Sequence, residues 1–303
     1  MKIVVGGGTG FIGGALVEAL AARKQEVVVL SRKVRPASRT VRYVLWDGKT
    51  AGPWEQNLEG AEAVVNLSGS PIAGKRWTAS YKREIVTSRL DPTRALVQAV
   101  RTMAKPPRVF LSGSAVGYYG STGSETDELS PAGRGFLAET CQAWEQEALQ
   151  AEQAGVRVVL LRTGLVLGRG GLLARMVPAF RGFAGGPFGS GEQWMPWIHL
   201  TDEIGAALFL LKHGTASGPF NLTAPGPVTM REFCRRLGEI LGRPSWLRVP
   251  AGLLHFVFGE MAEEVLLSGQ NARPRALEAL GFRFRYGILQ EALSQILAGG
   301  DGR

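Results

Sequence analysis

The opening stretch, MKIVVGGGTGFIGGALVEAL, leaves this chain fewer choices of fold than any other part of it. Lys2 to Val5 is a short β-branched run leading straight into Gly7, Gly10 and Gly13, after which Ala15, Leu16, Ala19 and Leu20 recur with helical period. That order spells strand, tight turn, helix. Glycine is needed because the backbone must reverse sharply, lie against a pyrophosphate with no Cβ between, and let the helix begin close to the strand. Amides at the helix N-terminus then face the phosphates, where unpaired N–H groups and the helix dipole favour negative charge. Gly7, Thr9, Gly10, Phe11, Ile12 and Gly13 are the candidate contacts in this loop.

The second apolar run, Glu26 to Leu30, ends at Ser31-Arg32-Lys33, and its tip decides which dinucleotide. A carboxylate here would accept from the adenosine ribose and repel a 2′-phosphate; none is present. Ser31 can donate a hydrogen bond and Arg32 can hold or stack over the phosphate and adenine, which points to NADP. The plainer alternative is that Arg32 and Lys33 are solvated turn residues. Arg39 to Trp46 reads as a third strand, and Ala61 to Gly69 as a fourth whose small exit residues let a ligand come close.

With 303 residues and 45% hydrophobic content the chain can bury a sizeable core. No apolar run reaches the length of a bilayer span, so a soluble, cytoplasmic protein without a membrane partner is expected. Two distant cysteines, Cys141 and Cys234, make neither a disulfide framework nor a metal cluster, and no metal site is expected. The formal charge of +9 invites a nucleic-acid reading, but the arginines are scattered rather than blocked, so no nucleic-acid partner is expected.

Several later segments resemble the short-chain dehydrogenase/reductase superfamily, in its extended, epimerase-like branch. The N-L-S-G run Asn66 to Gly69 is similar to the signature after the fourth strand, which implies that Leu67, Ser68 and Gly69 lie beside the cofactor; Asn66 could instead serve only its own turn. The pattern Arg76-Trp77, Lys82, Glu84, Arg89 resembles one epimerase-like family, implying Arg89 near the phosphates and Glu84 near the adenosine side. A surface ion-pair helix would produce the same pattern. This helix, within Lys75 to Arg108, is expected to be interrupted or offset near Asp91-Pro92.

Ser112 to Gly120 is similar to the segment that carries the superfamily's catalytic hydroxyl, implying Ser114 as the hydrogen-bond donor to a substrate oxygen. The family's Tyr-x-x-x-Lys pair, however, is missing. Aligning Glu145 with the glutamate that follows that pair puts Leu137 at the tyrosine and Cys141 at the lysine; one residue earlier gives Phe136 and Thr140. Tyr118, Tyr119 or Cys141 could substitute as the acid, or Cys141 could be a small apolar residue packed near the nicotinamide. His199, before Thr201-Asp202-Glu203, is expected to be structural. Trp194, Met195 and Trp197 are expected to rim an exposed apolar pocket.

The C-terminal sequence from Leu266 to Phe282 resembles the closing domain of an uncharacterised epimerase-family branch. The expected fold is α/β, a Rossmann-type doubly wound parallel sheet with a small, mainly helical C-terminal substrate domain. Residues 1–165 plus about 198–224 would form the NADP-binding domain, and about 166–197 plus 225–303 the cap. The implied function is an NADP(H)-binding oxidoreductase-like protein acting on an unknown small substrate; the alternative is a non-catalytic NADP(H)-responsive binding protein. Relatives in the superfamily often pair through helices, so a homodimer is a possible assembly.

Overall fold

In the computed structural model, which describes residues 1–298, seven strands form one parallel sheet: β1 (Lys2–Gly6), β2 (Glu26–Ser31), β3 (Val41–Leu45), β4 (Ala63–Asn66), β5 (Val109–Ala115), β6 (Arg157–Thr163) and β7 (Gly218–Leu222). Their order across the sheet is β7-β6-β5-β4-β1-β2-β3, so the winding direction reverses between β1 and β4. Ligands of such sheets sit outside the strand ends at that reversal.

Period-two alternation explains why these runs are apolar throughout. Ile3, Val5, Val27, Val29 and Leu111 enter the core on one face, while Val4, Val28, Leu30 and Phe110 enter the core on the other. Both faces are covered, as parallel crossovers require. Helices α1 (Phe11–Ala22) and α5 (Leu200–Lys212) cover the first face; α2 (Ala79–Thr102) covers the second with α3 (Phe136–Leu149) beside it.

The interruption expected at Asp91-Pro92 does not occur, and α2 is continuous through Pro92. Proline removes the bond to Ser88 O and costs about 3 kcal/mol in a helix interior. Burial of Ile85, Leu96, Val97 and Val100 against the sheet and neighbouring chain, each worth roughly 1.5–3 kcal/mol, outweighs it.

A separate core joins α4 (Gly171–Arg181), α6 (Met230–Leu241) and α9 (Leu289–Ala298) through Phe180, Met195, Trp197, Phe233 and Leu293. The exposed apolar pocket expected at Trp194-Met195-Trp197 is therefore corrected. Trp197 is fully buried, with its Nε1 donating to Gly226 O at 2.9 Å, and Met195 is buried beside it; strand alternation turned these side chains into the cap core. Thr229 caps α6 by accepting from Glu232 N, and Gly242 ends it in the left-handed region. Two short helices, α7 (Ala251–Phe258) and α8 (Arg275–Ala279), lie between α6 and α9. Among the described residues no helix is long and apolar enough to cross a membrane.

Candidate functional site

At the β1/β4 reversal the glycine loop presses directly on the chain leaving β4. A Cβ on Gly7, whose φ is +75°, would lie 2.4 Å from Leu67 O, and one on Gly13 would lie 2.3 Å from Gly7 O. Gly10 caps α1 with no side-chain hydrogen bond and no acidic residue in the first turn, so its leading amides are open to an anion. Thr9, Gly10 and Phe11 are exposed, and Ile12 is half-buried. The Phe11 ring lies against the Gly168–Gly171 turn, a contact that links the loop to the start of the cap.

Arg89 meets the same place from α2. Its guanidinium lies against Gly69, donates to Ile85 O at 2.9 Å and sits 5.5 Å from the Trp144 ring. Burial lowers its pKa, and it has no carboxylate partner among the described residues. A half-buried cation left to hydrogen-bond backbone carbonyl is suited to an incoming phosphate. Glu84 instead stays on the exposed rim, accepting from Ser70 Oγ at 3.0 Å and facing Lys75 at 3.9 Å.

Ser31 takes a different part from the one expected. Its hydroxyl is buried, donates to Lys33 O at 2.9 Å and accepts from Lys33 N at 3.2 Å, so it ties off the turn and would have to exchange that acceptor to donate to a phosphate. Arg32 remains exposed and lines a surface cleft of about 460 Å³ with Trp46, Asp47 and Trp54. Asp47 is not a free acceptor there: hydrogen bonds from the Thr50 hydroxyl and the Thr50 and Lys49 amides hold its carboxyl down to about 2. This cleft went unread in the sequence, where Trp46 and Trp54 showed no common period.

At the carboxyl ends of β5 and β6 lies a buried polar chain. Ser114 Oγ donates to Glu145 Oε1 at 2.6 Å, and Arg162 grips both oxygens of Glu145 at 2.9 Å. Arg162 Nη1 donates to Tyr119 Oη at 3.0 Å, and Tyr119 donates on to Asn221 Oδ1 at 2.7 Å. Asn221 reaches the C-terminal segment by donating from Nδ2 to Arg273 O at 2.8 Å. Burial works against the Arg162 charge, yet the Glu145 hydrogen bonds and charge hold its pKa above the ordinary guanidinium value.

These hydrogen bonds change the roles expected of several residues. Ser114 is buried and already gives its proton to an ion-paired carboxylate, so it is not poised to donate to a substrate in this state. Tyr119 is buried and its hydroxyl is fully engaged; burial, opposed by Arg162, pushes it up to about 12. Tyr118 stacks its ring 3.5 Å from the Arg162 guanidinium carbon. Cys141 lies beside Ser114, and burial together with the Glu145 charge pushes its thiol up to about 11, so it stays protonated and apolar. His199 is structural: Nδ1 accepts from Thr201 N at 3.0 Å and Nε2 pairs with Gln295 Oε1 at 2.9 Å.

Two features of this end had no sequence signal. Phe136 N and Leu137 N donate to the Glu264 carboxylate at 3.0 and 3.2 Å, so the C-terminal segment caps α3. Leu137 itself joins Trp77, Tyr81 and Met261 in an apolar cluster. Glu203, buried on α5, accepts from Thr163 Oγ1 at 2.9 Å while its other oxygen has no partner, and burial pushes it up to about 8. Among the described residues no cluster of His, Cys, Asp and Glu could hold a metal ion.

The model of the NAD dependent epimerase/dehydratase family matches residues 3–223, and that of a domain of unknown function, DUF1731, matches 249–296. "Epimerase family protein SDR39U1 homolog, chloroplastic" of Arabidopsis thaliana is 42% identical over 98% of this chain and 87% of its own length. "Epimerase family protein YfhF" of Bacillus subtilis is 36% identical over 98% of both chains. A crystal structure of human epimerase family protein SDR39U1 (isoform 2) with NADPH superposes with a TM-score of 0.88 at 34% identity, covering 98% of this chain and 99% of that one. The chain therefore belongs to the NAD dependent epimerase/dehydratase family.

Proposed function

We propose that the chain binds NADP(H) in this crevice and acts as an oxidoreductase on a small substrate without a Tyr–Lys proton relay. The observation that carries the reading is the convergence on one spot of three anion-ready features. These are the uncapped α1 N-terminus, glycines that a Cβ would push into the 67–69 turn, and Arg89 without a carboxylate. Gly7, Thr9, Gly10, Ile12 and Gly13 would hold the pyrophosphate with Arg89, and Arg32 would take the 2′-phosphate. The human relative crystallised with NADPH supports the phosphorylated form of the cofactor.

When bound, NADPH supplies hydride chemistry. With Leu137 and Cys141 at the positions the resemblance gives to the tyrosine and lysine, this chain's residues would orient the substrate, and the proton that the reduced carbonyl oxygen must gain would come from solvent water reaching the crevice. Ser114 would contact substrate only if its hydroxyl turned away from Glu145, an exchange of one hydrogen bond for another. On this reading the cap of 166–197 plus 225–303 supplies the substrate side.

The test is NADPH oxidation across a carbonyl panel, with Ser114→Ala expected to lower turnover while leaving NADPH affinity unchanged. A second reading, an NADP(H)-responsive binding protein without turnover, is favoured by the commitment of the Ser114 proton to Glu145. It gains if NADPH binds tightly, no carbonyl is reduced, and the affinity for a protein or small ligand differs between NADP⁺ and NADPH. Absence of binding by either phosphorylated coenzyme would sink both.

A further inference from the structure

The cap carries a surface that the cofactor crevice does not use. Among the described residues, six of the twelve exposed large apolar side chains fall in it: Phe183, Trp246, Leu247, Leu253, Phe256 and Val257. Phe256 is 81% exposed and Trp246 73%, values at odds with the 45% hydrophobic chain's ability to bury such groups elsewhere. Leu253, Phe256 and Val257 share one face of α7, since they stand three and four residues apart; Leu254, on the other face, is buried.

The two segments that build this surface are zipped together. Leu247 N donates to Gly185 O at 3.2 Å, Val249 N donates to Pro187 O at 3.0 Å, and the Arg243 guanidinium covers the Phe183 ring at 4.7 Å. No acidic residue lies between 171 and 191 or between 242 and 259, and the carboxylate that reaches α7 from beyond them, Glu263, faces His255 at 3.4 Å. Arg181, Arg243 and Arg248 lie in them, and none has a carboxylate partner among the described residues. Elsewhere on the cap Arg231, Arg235, Arg236, Arg273 and Arg275 are paired with carboxylates, while Arg169, Arg175, Arg283 and Arg285 are unpaired among the described residues but lie outside these apolar segments or, for Arg175, bond Ala73 O.

We infer that this face lies on an anionic lipid surface, with Trp246, Phe256 and their apolar neighbours entering the headgroup–acyl boundary and the three arginines meeting lipid phosphates. Charge decides between occupants. A two-fold pairing of copies would set the same unpaired arginines close to one another, whereas an anionic bilayer neutralises all three and accepts the apolar side chains. An interfacial helix also needs no spanning length, so the eight residues of α7 are enough to lie along a bilayer surface. This surface is independent of the NADP(H) reading, because no residue of the glycine loop, the 67–69 turn or Arg89 belongs to it.

The experiment is co-sedimentation of the full chain with phosphatidylcholine vesicles, with and without phosphatidylglycerol, at low and high salt. Pelleting is expected only with phosphatidylglycerol, reduced by salt, and accompanied by a blue shift of tryptophan emission that Trp246→Phe removes. Phe256→Ser with Trp246→Ser should lower binding about tenfold or more, and Arg181→Glu with Arg243→Glu should abolish the preference for anionic vesicles. Circular dichroism melts equal to the parent's show that these variants fold. Equal pelleting with neutral vesicles, no pelleting at all, or a dimer in light scattering that Phe256→Ser dissolves would each overturn the inference.

Discussion

The glycine loop and the buried polar chain are built on opposite principles. The loop, proposed above as the phosphate end of the site, is local: Gly7, Gly10 and Gly13 lie on one turn, and their constraint is backbone contact with Leu67 and with one another. The polar chain, proposed as the reaction end, is assembled from afar, since Ser114, Tyr119, Glu145, Arg162 and Asn221 come from β5 and the turn after it, α3, β6 and β7, and hold one another by hydrogen bonds. A local site tolerates loss of its distant neighbours but not a methyl group in the turn. A distributed one should show the reverse, failing through folding before it fails through binding.

The sharpest way to break that contrast is Gly13→Ala. Its Cβ would meet Gly7 O at 2.3 Å, so the turn must open against backbone, and NADPH affinity measured by calorimetry should fall at least a hundredfold while the thermal midpoint drops but the protein still folds. If the midpoint collapses and affinity survives, the loop is a folding element and not a cradle. Arg162→Met probes the other end. It strands Glu145 without its partner in a buried place, and breaking such a pair costs about 3–5 kcal/mol. Urea unfolding should show that loss, and adding Glu145→Leu should return a large part of it, because an apolar pair replaces an ionic one at small net cost. A double variant no more stable than the single would mean the pair is not what holds this end.

The same contrast explains what the sequence could be read for. The strands, the glycine turn and the Thr229 cap with its Gly242 stop depend on neighbours along the chain, so periodicity and spacing reveal them, whereas the structural reading of His199 comes from the resemblance of its segment. Pro92 misleads because its local penalty is visible and the sheet that outweighs it is not. Trp197 reads as a rim residue because one strand's alternation does not say which face a second core will cover. Ser31, Ser114 and Tyr119 have hydroxyls whose partners, Lys33 O, Glu145 and Asn221, are fixed only by the turn and the packed elements. Glu264 lies in a stretch with no motif and is made notable by the α3 amides it accepts from, and Glu203, although it closes the segment after His199, is made notable only by its burial beside Thr163.

Glu203 offers a pH-dependent test of that burial. Its folded value, about 8, lies above the ordinary 4.5, so the folded state holds the proton more tightly than the unfolded chain. The linked stability is therefore complete below the unfolded value and drains away as pH rises toward and through about 8. Glu203→Gln keeps the Thr163 contact without an ionisable group. Its advantage over the parent in urea should be small at pH 5 and grow to the order of a few kcal/mol above pH 8. Parallel pH curves for the two proteins would show that Glu203 reaches water in solution.

Arg32→Asp should give the smallest change, and it tests the edge of the phosphate end where recognition leaves the backbone for one exposed side chain. A charge-assisted contact contributes about 1.5–3 kcal/mol, so the NADPH dissociation constant should rise roughly tenfold or more, with NADH affinity unchanged or improved as the new carboxylate meets the ribose hydroxyls. The thermal midpoint should not move, because Arg32 is exposed and in no ion pair among the described residues. Equal losses for both coenzymes would place Arg32 on shared adenine contacts in the Trp46–Trp54 cleft, and no loss for either would leave it a solvated turn residue. In either case the choice of NADP over NAD would have to rest on the backbone of the turn that Ser31 ties to Lys33.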